Sequence, residues 1–139
     1  SIVRPPNWQN GPNVGGSFLV MLRPGGAFQA NVNVRAQVHN GTPLDQIGNE
    51  LKSALPKVLA NANIQFHEDG PTTIDGKAAY YLVYSMTPPG KAPEVKIIQY
   101  LIANGSGQKA FIITFTDLAS NFDNNRAQFD QAAQSVQVD

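Results

Sequence analysis

Three segments in the second half of the chain are apolar on both sides of a strand, and this fixes the layering of any fold that holds them. In Lys77 to Met86, Tyr80, Leu82 and Tyr84 share one face at period two, while Ala79, Tyr81 and Val83 share the other. Val95 to Ala103 repeats the arrangement, with Ile97 and Leu101 opposite Ile98, Tyr100 and Ile102. Ala110 to Thr116 sets Phe111, Ile113 and Phe115 against Ile112. A strand of this kind needs cover on both faces. The short link Asn104-Gly105-Ser106-Gly107 makes the last two an antiparallel hairpin. Each large side chain buried contributes roughly 1.5–3 kcal/mol, so these three strands are expected to dominate stability.

Two helices supply the cover. Leu44, Ile47, Leu51 and Leu55 form one apolar stripe, which Val58 and Leu59 would continue. Thr42 is the expected cap, Pro43 suits the first helical position, and Asp45 complements the positive end of the dipole. Pro56 falls inside this pattern and predicts a kink or an early stop. Ser120 to Ser135 predicts the second helix, capped by Ser120, with Phe122, Phe129, Ala133 and Val136 on its buried side.

Shorter strands complete the reading. Ser1 to Val3 reads as the end of a strand halted by Pro5-Pro6. Ser17 to Arg23 is a strand. Phe28 to His39 alternates Val32, Val34, Ala36 and Val38 with Asn31, Asn33, Arg35 and Gln37, so one face is buried and the other wet. Asn63 to Glu68 and Thr72 to Ile74 read as two strands separated by a turn at Asp69-Gly70-Pro71, and Asp75-Gly76 as a two-residue hairpin turn. The order of strands, helix, strands, helix gives a single α+β domain over 1–139: an antiparallel β-sheet flanked by helices on both faces, an α/β/α sandwich.

Composition removes several functions. Ten Lys and Arg balance ten Asp and Glu, and a chain with no basic excess has no electrostatic footprint for nucleic acid or a polybasic membrane anchor. No apolar run is long enough to span a bilayer. There are no cysteines, which excludes disulfides, thiolate nucleophiles and Cys-ligated zinc. Charged residues make up 14%, against roughly 25% in typical soluble domains. Amides and hydroxyls fill the surface instead, in an extracytoplasmic style that a cytosolic chain can share. The chain starts at Ser1, so a signal peptide or lipid-attachment segment would lie upstream.

Candidate chemistry is sparse. His39 and His67 have no metal-binding spacing. His67-Glu68-Asp69 is the best polar cluster; on a strand His67 and Asp69 point the same way and could hold one cation weakly, or simply end a strand in solvent before the Gly70-Pro71 turn. Asp117, Asp123 and Asp130 do not have calcium-loop spacing. No Gly-x-Ser-x-Gly elbow is present, and neither histidine has an orienting acid in view. The glycine pairs Gly15-Gly16 and Gly25-Gly26 lack a phosphate-loop lysine and read as turns. Tyr80, Tyr81 and Tyr84 can stack on a ligand or fill a core with their hydroxyls at its rim. Trp8 can plug the end of the sandwich or present an aromatic anchor to a partner.

Pro5, Asn7 and Trp8; Asp75-Gly76-Lys77 with Tyr80-Tyr81; Asn104-Gly105 before Lys109-Ala110-Phe111; and Phe129 through Ser135-Val136 occur in an order that resembles the PsbP family, the extrinsic proteins of photosystem II and their relatives. The likeness runs from Ser1 to Val138. The wider group includes a Ran-GTPase-binding protein and bacterial lipoproteins of the DcrB and LpqN type. The resemblance implies an α/β/α sandwich with no common catalytic site, used mostly to dock other proteins. The lysine-poor surface and the linker Pro88-Pro89-Gly90-Lys91-Ala92-Pro93 point to the bacterial secreted or lipid-anchored branch. The expected activity is therefore non-enzymatic: no catalytic residue, no metal and no cofactor, with a protein partner met by loops around Trp8, Pro88, Pro89 and Lys91. The alternative expectation is a small-molecule or lipid module, with a cleft between helix 44–59 and the sheet lined by Leu55, Val58 or the tyrosines.

Overall fold

The structure, a computed structural model, describes residues 2–4, 8–11, 19–22, 30–38, 40–87, 89–90, 93–104 and 109–137, with backbone only at 19–22, 37–38 and 58. The elements in order are β1 (Gln9–Asn10), β2 (Leu19–Leu22), β3 (Asn31–Val38), α1 (Leu44–Val58), β4 (Asn63–Ile74), β5 (Lys77–Thr87), β6 (Val95–Ala103), β7 (Lys109–Leu118) and α2 (Ala119–Gln134). They form one sheet in the order β1-β2-β3-β7-β6-β5-β4, with every neighbouring pair antiparallel. Chain order and sheet order part once. After β3 the chain crosses to the far edge, and α1 makes that crossing over one face. It then returns by hairpins to β7, and α2 closes the opposite face.

Both faces of the central strands are covered, as their two-sided apolar pattern requires. Beneath α2, Val83, Ile98, Tyr100, Ile102, Ile113 and Phe115 pack with Phe122 and Phe129 of the helix. Beneath α1, Ile47, with half-buried Leu44, Leu51 and Leu55, meets Leu82, Tyr84, Ile97, Leu101 and Ile112. β3 contributes to one layer only: Val32 and Val34 are buried on the α2 side and Arg35 is exposed, but Ala36, expected on the buried face, is exposed too, and the Val38 side chain lies outside the described residues.

Several local expectations need correction. Asn63 to Ile74 is one strand, not two around a turn. Gly70 and Pro71 carry turn chemistry, but β4 is an edge strand, where a missing N–H need leave no ladder bond unmade. α1 runs through Pro56 to Val58 with no early stop; the lost donor falls in the last turn, close to where the helix ends in any case. The caps also differ. Pro43 occupies the cap position of α1, its carbonyl accepting from the Ile47 N–H at 3.2 Å, and neither helix has a side-chain cap bond at that position. Ile2 to Arg4 form no strand; the Val3 N–H instead donates to Ser135 Oγ at 2.8 Å. The Asp75-Gly76 turn is as expected, with φ of 53° and 68° and Ile74 paired to Lys77.

Candidate functional site

The polar side chains that could do chemistry gather at β4, and a β-bulge decides where each one points. Phe66 pairs with Tyr84, but the next register pair is Glu68 with Val83, so His67 is an extra residue. An inserted residue reverses the facing of everything after it. Glu68 therefore turns to the α2 side and Asp69 to the α1 side. His67 and Asp69 do not share a face, which removes the cation pair read from a regular strand.

On the α2 side, Glu68 Oε1 accepts from Arg126 Nη2 at 2.5 Å. The Arg126 guanidinium holds the Glu68 carboxyl below its usual range, against the opposing effect of burial. The guanidinium is in turn raised by the same bond. One helical turn further on, Asp130 accepts a hydrogen bond from the buried Tyr100 hydroxyl. Burial first, then Asp130, pushes that phenol far above its ordinary value. On the α1 side, the Tyr80 hydroxyl donates to Asp69, which also meets Lys52 Nζ at 3.3 Å. The Tyr80 bond, then Lys52, lowers the Asp69 carboxyl, and Asp69 raises the Tyr80 phenol to about 12. Tyr84 is raised to about 12 by burial alone.

His67 Nε2 lies 2.8 Å from Ser85 Oγ, a histidine–serine contact that sequence spacing could not reveal, because the bulge creates it. Ser85 is 4% exposed and faces Lys96 across the ladder. Lys96 sits 5.1 Å above the Phe122 ring and 3.6 Å from Asp123. Asp117, also buried, accepts from the Leu118 N–H at 2.8 Å and from Asn125 Nδ2 at 2.6 Å, so it fastens the start of α2. Among the described residues no three His, Asp or Glu side chains converge on a metal position.

Of the residues expected to meet a partner, Trp8 and Pro89 are described, and they lie in different surroundings. Trp8 is 3% exposed and packs edge-on against Phe129 at 6.1 Å between ring centres. Its ring belongs to the core, so its reading as an exposed anchor is corrected and its reading as a plug stands. Pro88 and Lys91 lie outside the described residues, whereas Pro89 and Gly90 are exposed. That loop adjoins the start of α2, where the Ala119 N–H donates to the Glu94 carbonyl at 3.0 Å. Ten residue steps along the helix, about 15 Å of axis, separate Ala119 from the Phe129 that Trp8 touches.

The cleft expected under α1 is occupied. Leu51 and Leu55 pack against the cluster of Leu82, Tyr84 and Ile97. The helix backbone comes so close to Tyr80 that a methyl group on Gly48 would lie 2.7 Å from ring atom Cε1.

No family model and no curated protein matches the sequence. Solved structures do. The chain is similar to the solution structure of cyanobacterial PsbP (CyanoP) from Synechocystis sp. PCC 6803, with a TM-score of 0.74 at 16% identity over 99% of this chain and 85% of that one. The chain has the PsbP-like fold. Two further PsbP-like neighbours are PA94, a Pseudomonas aeruginosa protein of unknown function, at a TM-score of 0.67 and 18% identity over 100% and 83% of the two chains, and LpqN of Mycobacterium tuberculosis, described as involved in cell envelope biogenesis, at 0.69 and 12% over 96% and 79%. No helix among the described residues of this PsbP-like domain is long and apolar enough to cross a membrane.

Proposed function

We propose that this PsbP-like domain is a non-catalytic, extracytoplasmic docking module that meets a protein partner through the β5–β6 loop around Pro89. The observation that carries the reading is what the ionisable groups do. Glu68, Asp69, Lys52, Arg126, Asp130 and Asp117 tie helices to the sheet or close a helix end, which is architectural work. The loop, by contrast, is held at both ends. Thr87 is paired to Asn63, Val95 to Leu118, and Glu94 to the first residue of α2. Its proline-rich sequence restricts the free chain, so less conformational freedom is lost on binding. A loop anchored on a rigid sheet is a common place for recognition. The low charge of the surface and the cell-envelope role in LpqN's description support the compartment.

The test is site-specific photocrosslinking in the native host, with the reactive residue at Pro89 and a control at Asn124 on the outer face of α2. A discrete protein adduct from position 89 and none from 124 is expected. Absence of an adduct at 89 removes the docking surface. Separately, hydrolysis of ester, glycoside or phosphate substrates that is lost in Ser85→Ala removes the non-catalytic reading.

A further inference from the structure

The sequence contains three Asn-Gly pairs, Asn10-Gly11, Asn40-Gly41 and Asn104-Gly105. An Asn-Gly pair can cyclise because glycine presents no side chain to hinder attack by its own backbone nitrogen. The reaction needs a free amide side chain and a backbone able to bring the following nitrogen onto Cγ. The fold treats the three pairs differently. Asn10 is held in the β1–β2 ladder opposite Met21. The Asn104 side chain is committed: its Oδ1 accepts from the Lys109 N–H at 3.1 Å, while its own N–H donates to the Lys109 carbonyl at 2.9 Å. Asn40 and Gly41 are both exposed, lie in the turn between β3 and α1, and have no hydrogen-bond partner among the described residues. Their φ values are 52° and 74°, outside both ladder and helix, and a methyl group placed on Gly41 would meet nothing within 4 Å.

We propose that Asn40 is a site of spontaneous deamidation, selected over the other two pairs by the fold. The Gly41 nitrogen, giving its proton to solvent base, attacks Asn40 Cγ. The bond from Cγ to the side-chain nitrogen breaks, ammonia leaves, and a succinimide remains. Water then opens either carbonyl, giving aspartate or isoaspartate at position 40. The aspartyl product is compatible with the fold. Aspartate tolerates the left-handed region about as asparagine does, and a carboxylate just ahead of α1 meets the positive end of the dipole beside Asp45. The isoaspartyl product lengthens the main chain between β3 and α1 by one carbon. Either product takes a chain of zero formal charge to a net negative one, a change that electrostatic complementarity at any docking surface would register.

The experiment is a time course of the intact folded chain at neutral pH and body temperature, with peptide mapping by mass spectrometry and isoaspartyl methyltransferase labelling. A parallel sample is unfolded in urea. In the folded chain the peptide carrying Asn40 is expected to convert several times faster than those carrying Asn10 and Asn104. In urea the three rates draw together. Asn40→Asp, which mimics the aspartyl product, is expected to fold with an unchanged melting profile and to focus as the more acidic species seen in the aged protein. The proposal is overturned if Asn10 or Asn104 converts first in the folded chain, if the folded chain shows the same order and spread of rates as the unfolded one, or if Asn40 remains an amide.

Discussion

The two faces of the sheet solve the same problem with different materials. Under α2 the layer is aromatic. Phe129 touches three other rings, stacking on Phe115 at 5.1 Å, tilting against Phe122 at 5.7 Å and receiving the edge of Trp8, while Tyr100 meets Phe115 at 6.0 Å. Under α1 the helix supplies only aliphatic side chains, and three of its four stripe residues are half-buried. The polar ties follow suit: buried Tyr100 bonds half-buried Asp130, whereas the pair of Tyr80 and Asp69 lies at an exposed rim. One face is a closed core and the other a tight but shallow lid. The sheet between them can be identical in pattern because each strand alternates independently on its two sides.

The largest effect should come from cutting the aromatic hub. Phe129→Ala is expected to cost about 3–5 kcal/mol, against about 2 kcal/mol or less for Leu51→Ala in the lid. Urea unfolding with unchanged slope measures both, and equal losses would erase the asymmetry. Gly48→Ala tests how closely the lid sits. Alanine should gain about 1 kcal/mol in a helix interior, yet here the clash with Tyr80 should give a net loss of about 1–3 kcal/mol. In a Tyr80→Ala background the same change should become stabilising; if it does not, the close approach is not what selects glycine. Tyr100→Phe leaves Asp130 without its buried donor and should cost ~1–3 kcal/mol, with Tyr80→Phe at the rim costing below ~1 kcal/mol.

The smallest effect is on acid stability. Glu68 and Asp69 both have lowered pKa values in the folded chain, so the unfolded state binds protons more readily. Their contribution is present above the ordinary carboxylate range, about pH 4, and is lost as pH falls through the folded values. Glu68→Gln and Asp69→Asn should each flatten the acid limb of a stability–pH curve. No change in slope would mean that the two ties form equally well in the unfolded chain.

The sheet, the helices and the buried faces were legible in the sequence because they rest on periodicity, which needs no knowledge of neighbours. Leu44, Ile47, Leu51 and Leu55 announce a helix wherever it packs, and Phe122 and Phe129 mark the inward side of α2. Features that depend on a partner strand were not legible. Gly70-Pro71 signals a turn locally, and only the position of β4 at the sheet edge makes it part of a strand. The bulge at His67 has no sequence signature of its own, yet it decides that Glu68 reaches α2 and Asp69 reaches α1, and it brings His67 to Ser85. Trp8 was ambiguous because a loop tryptophan faces inward or outward according to what lies beneath it, and Phe129 is more than a hundred residues away.

That same irregular β4 carries a consequence for how the molecules behave in a crowd. A twelve-residue border strand is an open invitation for a second copy to zip alongside and start a fibril. The extra residue at His67 throws the row of amides and carbonyls out of step, and Pro71 contributes no amide at all, so a matching strand finds only short stretches in register. The device that aims Glu68 and Asp69 at their two helices is therefore also one that disfavours edge-to-edge pairing of neighbouring copies.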